Sequence, residues 1–562
     1  MIRSIYKIVP KQLRSKTPFV VLAILLRALL NFVGVAMLVP VLMIVVGGDL
    51  ESNPYMGDIY HFMRLPAEVF VSVVCLMVVA VLVAKNLLSQ LLYRSERNFV
   101  LSLYEHVSRQ LYWGYFNQGL GFINRNNSAH LVRNVNGISS MFAMGLVGGI
   151  TQIVGEVALV AIIFVVVLTL VPKAALVMVG VFVPITLAFY YYVRRALRDA
   201  GRRENELQRA KNRVVAESYQ GYADIKVGGA MQLMANKFDS MMDEIIALRS
   251  RQASIAMLPQ AFVEIGLVAG MAAMAIWGYS GKADMQLMFG IFAVLALRLL
   301  PVIRNIMAAW SSVRYNRYTI DVLREAKLDE REYDIEACTE RMDMHESIEL
   351  RGVSFKYDGA EDEIISNLSL RIKCGERVGI RGASGVGKTT LFNLILGLHR
   401  PTAGDVVIDG IKLDDSNIAK WQNSVGYVSQ NVFLVDGTLA ENIAFGVEQK
   451  DIDYKLVSEV VKHADLNEFV SSLSEGVHTP IGERGARLSG GQRQRIGIAR
   501  ALYKRCHLLL FDEATSSLDS RSEESVNEAI ARLAADNPEL TIVVIAHRES
   551  TLSYCERIIT LD

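Results

Sequence analysis

The sequence predicts a two-part fold: an α-helical membrane domain of six spans with long cytoplasmic helices, followed by an α/β domain built around a phosphate-binding loop. Three observations predict it. Hydrophobic residues fill 52% of the 562 positions and mean hydropathy is positive, which is high for a wholly soluble chain. Those residues concentrate before about residue 310, and beyond it charge and turn residues mix as in an ordinary soluble domain. The run Gly382-Ala-Ser-Gly385-Val-Gly387-Lys388-Thr389 fits the phosphate-loop pattern in full. A net charge of +1 gives no reason to expect a nucleic-acid partner. Cys75, Cys338, Cys374, Cys506 and Cys555 lack the paired spacing of a zinc cluster or a disulfide framework.

From the N-terminus, residues 1–17 are basic and weakly amphipathic and read as an elbow helix lying in the cytoplasmic interface. A span needs about 20 apolar residues, and six stretches qualify: 18–46, 67–93, 138–171, 174–193, 255–279 and 285–310. The connections 47–66, 171–173 and 280–284 are short and carry few basic residues, whereas 94–137 and 194–254 are long and rich in Lys and Arg. The long ones therefore face the cytoplasm. They keep helical spacing with almost no proline, so the spans should continue as two helical hairpins beyond the bilayer. Gly119, Gly121 and residues 124–127 break the first hairpin near its tip, and Gly221, Gly228 and Gly229 break the second. Short transverse helices are expected there, with Tyr219, Tyr222 and Ile225 as an apolar stripe that a soluble domain would cover.

Charges at bilayer depth are costly and face protein or a wet cavity. Arg27, Lys85, Glu156, Glu264 and Arg298 are such charges. Lys85 either snorkels to the inner headgroups or faces inward. Arg298 lies about 14 residues, roughly 20 Å, into its span, which favours a cavity role. Glu156 and Glu264 fit either a cavity or a hydrogen bond between helices.

In the second half, the strand-like residues 377–380 lead into the phosphate loop. Its glycines let backbone N–H groups face phosphate oxygens, Lys388 reaches the β- and γ-phosphates, and the Thr389 hydroxyl can ligate Mg²⁺. Another apolar strand, 508–511, ends in Asp512 and Glu513. One carboxylate would hold Mg²⁺ and the next would polarise the attacking water. His547, after the strand-like residues 541–546, is placed to stabilise charge at the γ-phosphate.

Between these motifs stands Leu488-Ser489-Gly490-Gly491-Gln492, the signature of ATP-binding cassette proteins. Tyr357 in Phe-Lys-Tyr, Gln430 in Val-Ser-Gln, Ser517-Leu518-Asp519 and Ala546-His547-Arg548 extend the resemblance over residues 350–562. The resemblance implies ATP and Mg²⁺ as ligands. The implied nucleotide-binding positions are Tyr357, Gly382, Ser384, Gly385, Gly387, Lys388, Thr389, Thr390, Ser489, Gly490, Gly491, Gln492 and Asp519. Thr389, Gln430 and Asp512 would serve the metal, and Glu513, His547 and Gln430 the hydrolysis. Tyr357 would stack on adenine, while Ser489 and Gly491 would bind the nucleotide held by another copy of the chain, making a homodimer the working unit.

A membrane domain followed by a cassette resembles the exporter class, with residues 18–325 as membrane domain, 326–345 as linker and 346–562 as cassette. The run Thr479-Pro-Ile-Gly-Glu-Arg-Gly485 resembles the exporter loop that touches the partner's transverse helix. The whole chain further resembles bacterial flippases that carry polyprenyl-pyrophosphate-linked oligosaccharides across the inner membrane for protein N-glycosylation. The outer segment 50–66, Lys85-Asn-Leu-Leu and Arg298-Leu-Leu-Pro301 carry that resemblance. The family has arginine at the positions of Lys85 and of the Pro259-Gln260 pair, and Arg304 is displaced by one position. The resemblance implies a lipid-linked glycan cargo, with Lys85 and Arg298 toward its pyrophosphate. The rival cargoes are a lipid A-like lipid, a peptide or a hydrophobic drug; an ATP-gated channel or regulator is the rival class.

Overall fold

The computed structural model describes residues 2–38, 41, 57–63, 65–170, 180, 184, 191, 200–278, 301–326, 338–357, 359–482, 485–514, 520–546 and 548–561. The chain forms two compact units, Met1–Gln118 with Arg125–Tyr333, and Gly119–Asn124 with Asp334–Asp562.

In the helical unit, Ile2–Ile8 is a short helix anchored by Ile5. Pro10, in extended backbone, then caps Lys11–Ala36. Residues 11–17, expected in the elbow, thus belong to the first long helix, which runs through Pro18 with one backbone hydrogen bond lost. This helix buries Val20, Ala23, Ile24, Ala28 and Val35 and exposes Phe19, Leu22, Leu25 and Leu29. A helix apolar on both faces suits lipid on the outer one. Lys11–Ala36, Ala67–Asn117 and Ser128–Thr169 are the three helices among the described residues that are long and apolar enough to cross a membrane. The expected fifth span lies within Met231–Gly278. The fourth, apart from residues 180, 184 and 191, and the start of the sixth lie outside the described residues.

Ala67–Asn117 has 51 residues, about 76 Å at helical rise, so it outruns a hydrocarbon layer of about 30 Å. At its end Gly119, at φ +78°, turns the chain into the tip helix Gly119–Arg125. The Asn127 side chain then caps Ser128–Arg133 by accepting from the Ala129 N–H at 2.9 Å. Two π-helical segments, Asn134–Ile138 and Met141–Val147, lead into Gly148–Leu170. The other hairpin pairs Ala200–Gln220 with Met231–Gly278, held by Arg203 to Glu244 at 2.6 Å and Arg249 to Glu204 at 2.8 Å. Its tip helix, Tyr222–Val227, is bounded by Gly221 and Gly228 as the sequence predicts.

The cassette is made of two sheets. Strands β1 (Ser347–Phe355), β2 (Ile365–Lys373), β4 (Ala403–Ile408) and β5 (Ile411–Lys412) form an antiparallel sheet in the order β2-β1-β4-β5. Strands β3 (Arg377–Gly382), β6 (Val425–Val428), β7 (Leu508–Asp512), β8 (Thr541–Ile545) and β9 (Arg557–Leu561) form a parallel one in the order β6-β7-β8-β3-β9. Strands β7 and β8 are buried at every position, which is why each reads as an unbroken apolar run. Trp421 is fully buried in the core shared by the two sheets and donates its indole N–H to the Ile395 carbonyl at 2.7 Å.

Candidate functional site

In a parallel sheet, ligands gather at the carboxyl ends of the strands. Strands β3, β8 and β7 are neighbours, so the order of the sheet sets the phosphate loop after β3 and the acid pair after β7 within reach of each other. Gly385 and Gly387 take φ of +87° and +100°, where a side chain would be strained. They turn the loop into the helix Lys388–Ile395, whose first turn presents free N–H groups.

Lys388 is 5% exposed. Its Nζ donates to the Gly382 and Ala383 carbonyls at 3.0 Å each and stands 4.0 Å from a Glu513 oxygen. Thr389 Oγ1 donates to Asp512 Oδ1 at 3.2 Å, and the Tyr427 phenol donates to Oδ2 at 3.2 Å. Asp512 is 4% exposed, and burial holds its carboxyl above the usual aspartate range despite those two donors. Glu513 follows at φ +48°, outside the normal range for its residue type, with its N–H donating to the Ile545 carbonyl of β8 at 3.0 Å. The Gln430 amide donates to Glu513 Oε2 at 3.2 Å, and Gln494 holds the Gln430 carbonyl at 2.8 Å.

The structure thus brings together Lys388, Thr389, Asp512, Glu513 and Gln430. Tyr427 was not among the sequence candidates. Its signal is a hydroxyl-bearing aromatic in the short apolar strand β6, beside the acid-bearing β7. Burial and Asp512 both push its phenol upward, keeping it a donor. Nearby, the Tyr357 hydroxyl is 3.1 Å from Thr390 Oγ1, and its ring meets Phe355 and His399 edge-on while those two stack at 5.0 Å. Ser384 is exposed on the loop.

Ser489 caps the helix Gly490–Tyr503. Its Oγ accepts from the Gln492 N–H at 3.2 Å, and the Gln492 side chain accepts from the Ser489 N–H at 2.8 Å. The signature residues therefore form a capping box, with Gly491 buried behind it. His547, Asp519 and Arg298 lie outside the described residues.

In the helical unit, Lys85 is 9% exposed and packs on Gly34, where an added Cβ would come 3.3 Å from its Nζ. The side chain is therefore packed between the first two long helices. Arg27 pairs with Glu96 at 2.9 Å and lies over the Tyr93 ring, while Asn305 donates to Glu156 at 2.8 Å. Glu264 and Arg304 are exposed.

Residues 365–516 match the family described as ABC transporter, and residues 18–305 match the ABC transporter transmembrane region. The ABC transporter B family member 29, chloroplastic, of Arabidopsis thaliana is 44% identical over 38% of this chain and 33% of that protein. An ATP-dependent lipid A-core flippase of Francisella novicida is 31% identical over 69% of this chain and 65% of its own length. Its namesake in Bordetella pertussis is 33% identical over 69% and 61%. The chain therefore spans between a third and just under two thirds of the length of these relatives. A bacterial Atm1-family ABC exporter solved with ATP bound shares the fold, with a TM-score of 0.75 over 97% of this chain and 93% of that one at 22% identity. With one family description on its membrane half and another on its nucleotide half, the chain belongs to the ABC transporter family.

Proposed function

We propose that the chain is one half of an ATP-driven lipid exporter: two copies hydrolyse ATP with Mg²⁺ and move an amphipathic lipid out of the cytoplasmic leaflet of a bacterial inner membrane. The convergence of Lys388, Thr389, Asp512, Gln430 and Glu513 carries this reading. Lys388 rests on two carbonyls of its own loop, and an arriving phosphate would offer the same ammonium a charged partner. Glu513, oriented by Gln430, accepts the proton of the attacking water. Hydroxyl, carboxylate and amide oxygens are the hard donors Mg²⁺ takes. A carboxylate as buried as Asp512, fed there by two neutral hydroxyls, also fits a cation. When bound, Mg²⁺ neutralises phosphate oxygens, with Thr389, Asp512 and Gln430 as its protein partners. Tyr357 receives the base, and Ser489 and Gly491 of one copy close over the nucleotide of the other.

The lipid A-core flippases among its relatives support a lipid cargo. Another reading, a polyprenyl-pyrophosphate oligosaccharide, draws support from the buried Lys85 ammonium, a cation at membrane depth able to meet a phosphate. The test is ATP turnover by the purified protein in lipid, with Glu513→Gln as the inactive control, on adding lipid A-core, a polyprenyl-pyrophosphate glycan or a hydrophobic drug in turn. Stimulation by lipid A-core supports the first reading. Stimulation by the glycan alone, lost in Lys85→Ala, supports the other. Stimulation by the drug alone contradicts both.

A further inference from the structure

Four helices of the membrane domain enclose a cavity of about 420 Å³, within the roughly 300–1,000 Å³ of small-molecule sites. Lys11–Ala36 contributes Arg27, Ala67–Asn117 contributes Glu96 and Arg97, Gly148–Leu170 contributes Gln152 and Glu156, and residues 301–315 contribute Asn305. Glu96 follows Ala67 by 29 residues, about 44 Å along the helix, past a hydrocarbon layer of about 30 Å. With that helix running inward, the cavity sits at the level of the cytoplasmic headgroups.

We infer that this cavity binds the neutral sugar portion of a glycosylated lipid head rather than its phosphate; the inference rests on the lipid-export reading. Two guanidiniums and two carboxylates line it, so its formal charge sums to zero. Arg27 is already committed to Glu96, a carboxylate 6% exposed, and Glu156 accepts from Asn305. A phosphate there would have Arg97 as its cation, would compete with Glu96 for Arg27, and would face two carboxylates. A sugar hydroxyl both donates and accepts. The walls match that demand with carboxylates, the amides of Gln152 and Asn305, the ring of Tyr93, and the hydroxyls of Thr151 and Ser312, which donate to the Gly148 and Gly145 carbonyls and keep lone pairs to accept.

Tethering between helices accounts for the Arg27–Glu96 pair and the Asn305–Glu156 bond. It does not account for open volume beside them. Ala308 and Ala309 are small residues of its wall, and Gly149 lets the helices approach closely there, since an added Cβ would come 2.8 Å from Val313. A cavity walled by polar groups and glycine or alanine is a receptacle for a polar guest.

The experiment uses the full-length homodimer in phosphatidylcholine nanodiscs with three probes of equal chain length: diglucosyl diacylglycerol, phosphatidic acid and phosphatidylethanolamine. Saturable binding and ATP turnover are read for each. The expected result is saturable binding of the diglucosyl lipid, weakened about tenfold by Gln152→Ala and by Asn305→Ala, with phosphatidic acid binding unchanged in both. Retained ATP-analogue binding shows that each variant is folded. Diglucosyl-lipid binding indifferent to both variants, or phosphatidic acid or phosphatidylethanolamine bound more tightly and weakened by them, overturns the inference. If phosphatidic acid or phosphatidylethanolamine stimulates turnover while the diglucosyl lipid neither binds nor stimulates, the sugar site fails and lipid export stands. If neither these three nor lipid A-core nor the polyprenyl-pyrophosphate glycan stimulates turnover, the export reading fails and takes the inference with it.

Discussion

Glu513 is held at a left-handed φ beside a buried aspartate, an arrangement that costs folding energy and is kept where chemistry needs it. Replacing its carboxylate by an amide removes the proposed proton acceptor and little else. Glu513→Gln is expected to lower ATP turnover at least about 100-fold while leaving nucleotide affinity within a few-fold, read by phosphate release and by binding of a fluorescent ATP analogue. His399 gives a pH test. Burial lowers its pKa, so the folded protein prefers the neutral imidazole stacked on Phe355. That preference stabilises the fold above the unfolded-state value of about 6.5 and is lost as pH falls through the lowered one. Thermal unfolding of the full chain should therefore weaken from pH 7 to pH 5 more in the wild type than in His399→Phe. Lys388, Thr389, Asp512 and Glu513, which the structure brings together, were candidates in the sequence because each lies in a contiguous motif, the phosphate loop or the acid pair that ends an apolar strand. Tyr427 was not, because its role comes from strand pairing between β6 and β7, which the linear order does not encode.

Among the elements, the signature helix depends on its cap. Ser489→Ala breaks the capping box and should cost about 1 kcal/mol, a fall of about 2–4 °C in the cassette's melting temperature by calorimetry. The first two described membrane helices are joined by an ion pair whose carboxylate is buried. Arg27→Leu should strand that charge and cost about 3–5 kcal/mol, while Arg27→Leu with Glu96→Leu should recover most of the loss, measured by thermal unfolding in detergent. The apolar stretches and the glycine breaks at both hairpin tips announced where the helices run and turn. The sequence did not announce the partner of Arg27 or the π-helical segments before Gly148, since both depend on how neighbouring helices pack. The elbow ends earlier than its composition suggests for a local reason: Pro10, not Pro18, begins the long helix.

At the scale of the whole molecule, composition shifts at about residue 310, because lipid and water select opposite surfaces, while the main break between the two compact units falls at Tyr333 and Asp334. The cargo was less legible, because a cavity is lined by side chains brought together from distant positions, as Arg27, Glu96, Glu156 and Asn305 are. Under the proposed function, in which the nucleotide half drives lipid movement by the membrane half, ATP should be required for every net transfer. The direct measurement is leaflet accessibility of a fluorescent lipid A-core analogue in sealed proteoliposomes, followed on adding Mg²⁺-ATP, with Glu513→Gln in parallel. ATP-dependent transfer of the analogue out of the leaflet that faces the cassettes, absent in Glu513→Gln, is the predicted result. Transfer at the same rate without ATP, or unchanged in Glu513→Gln, would contradict coupled lipid export.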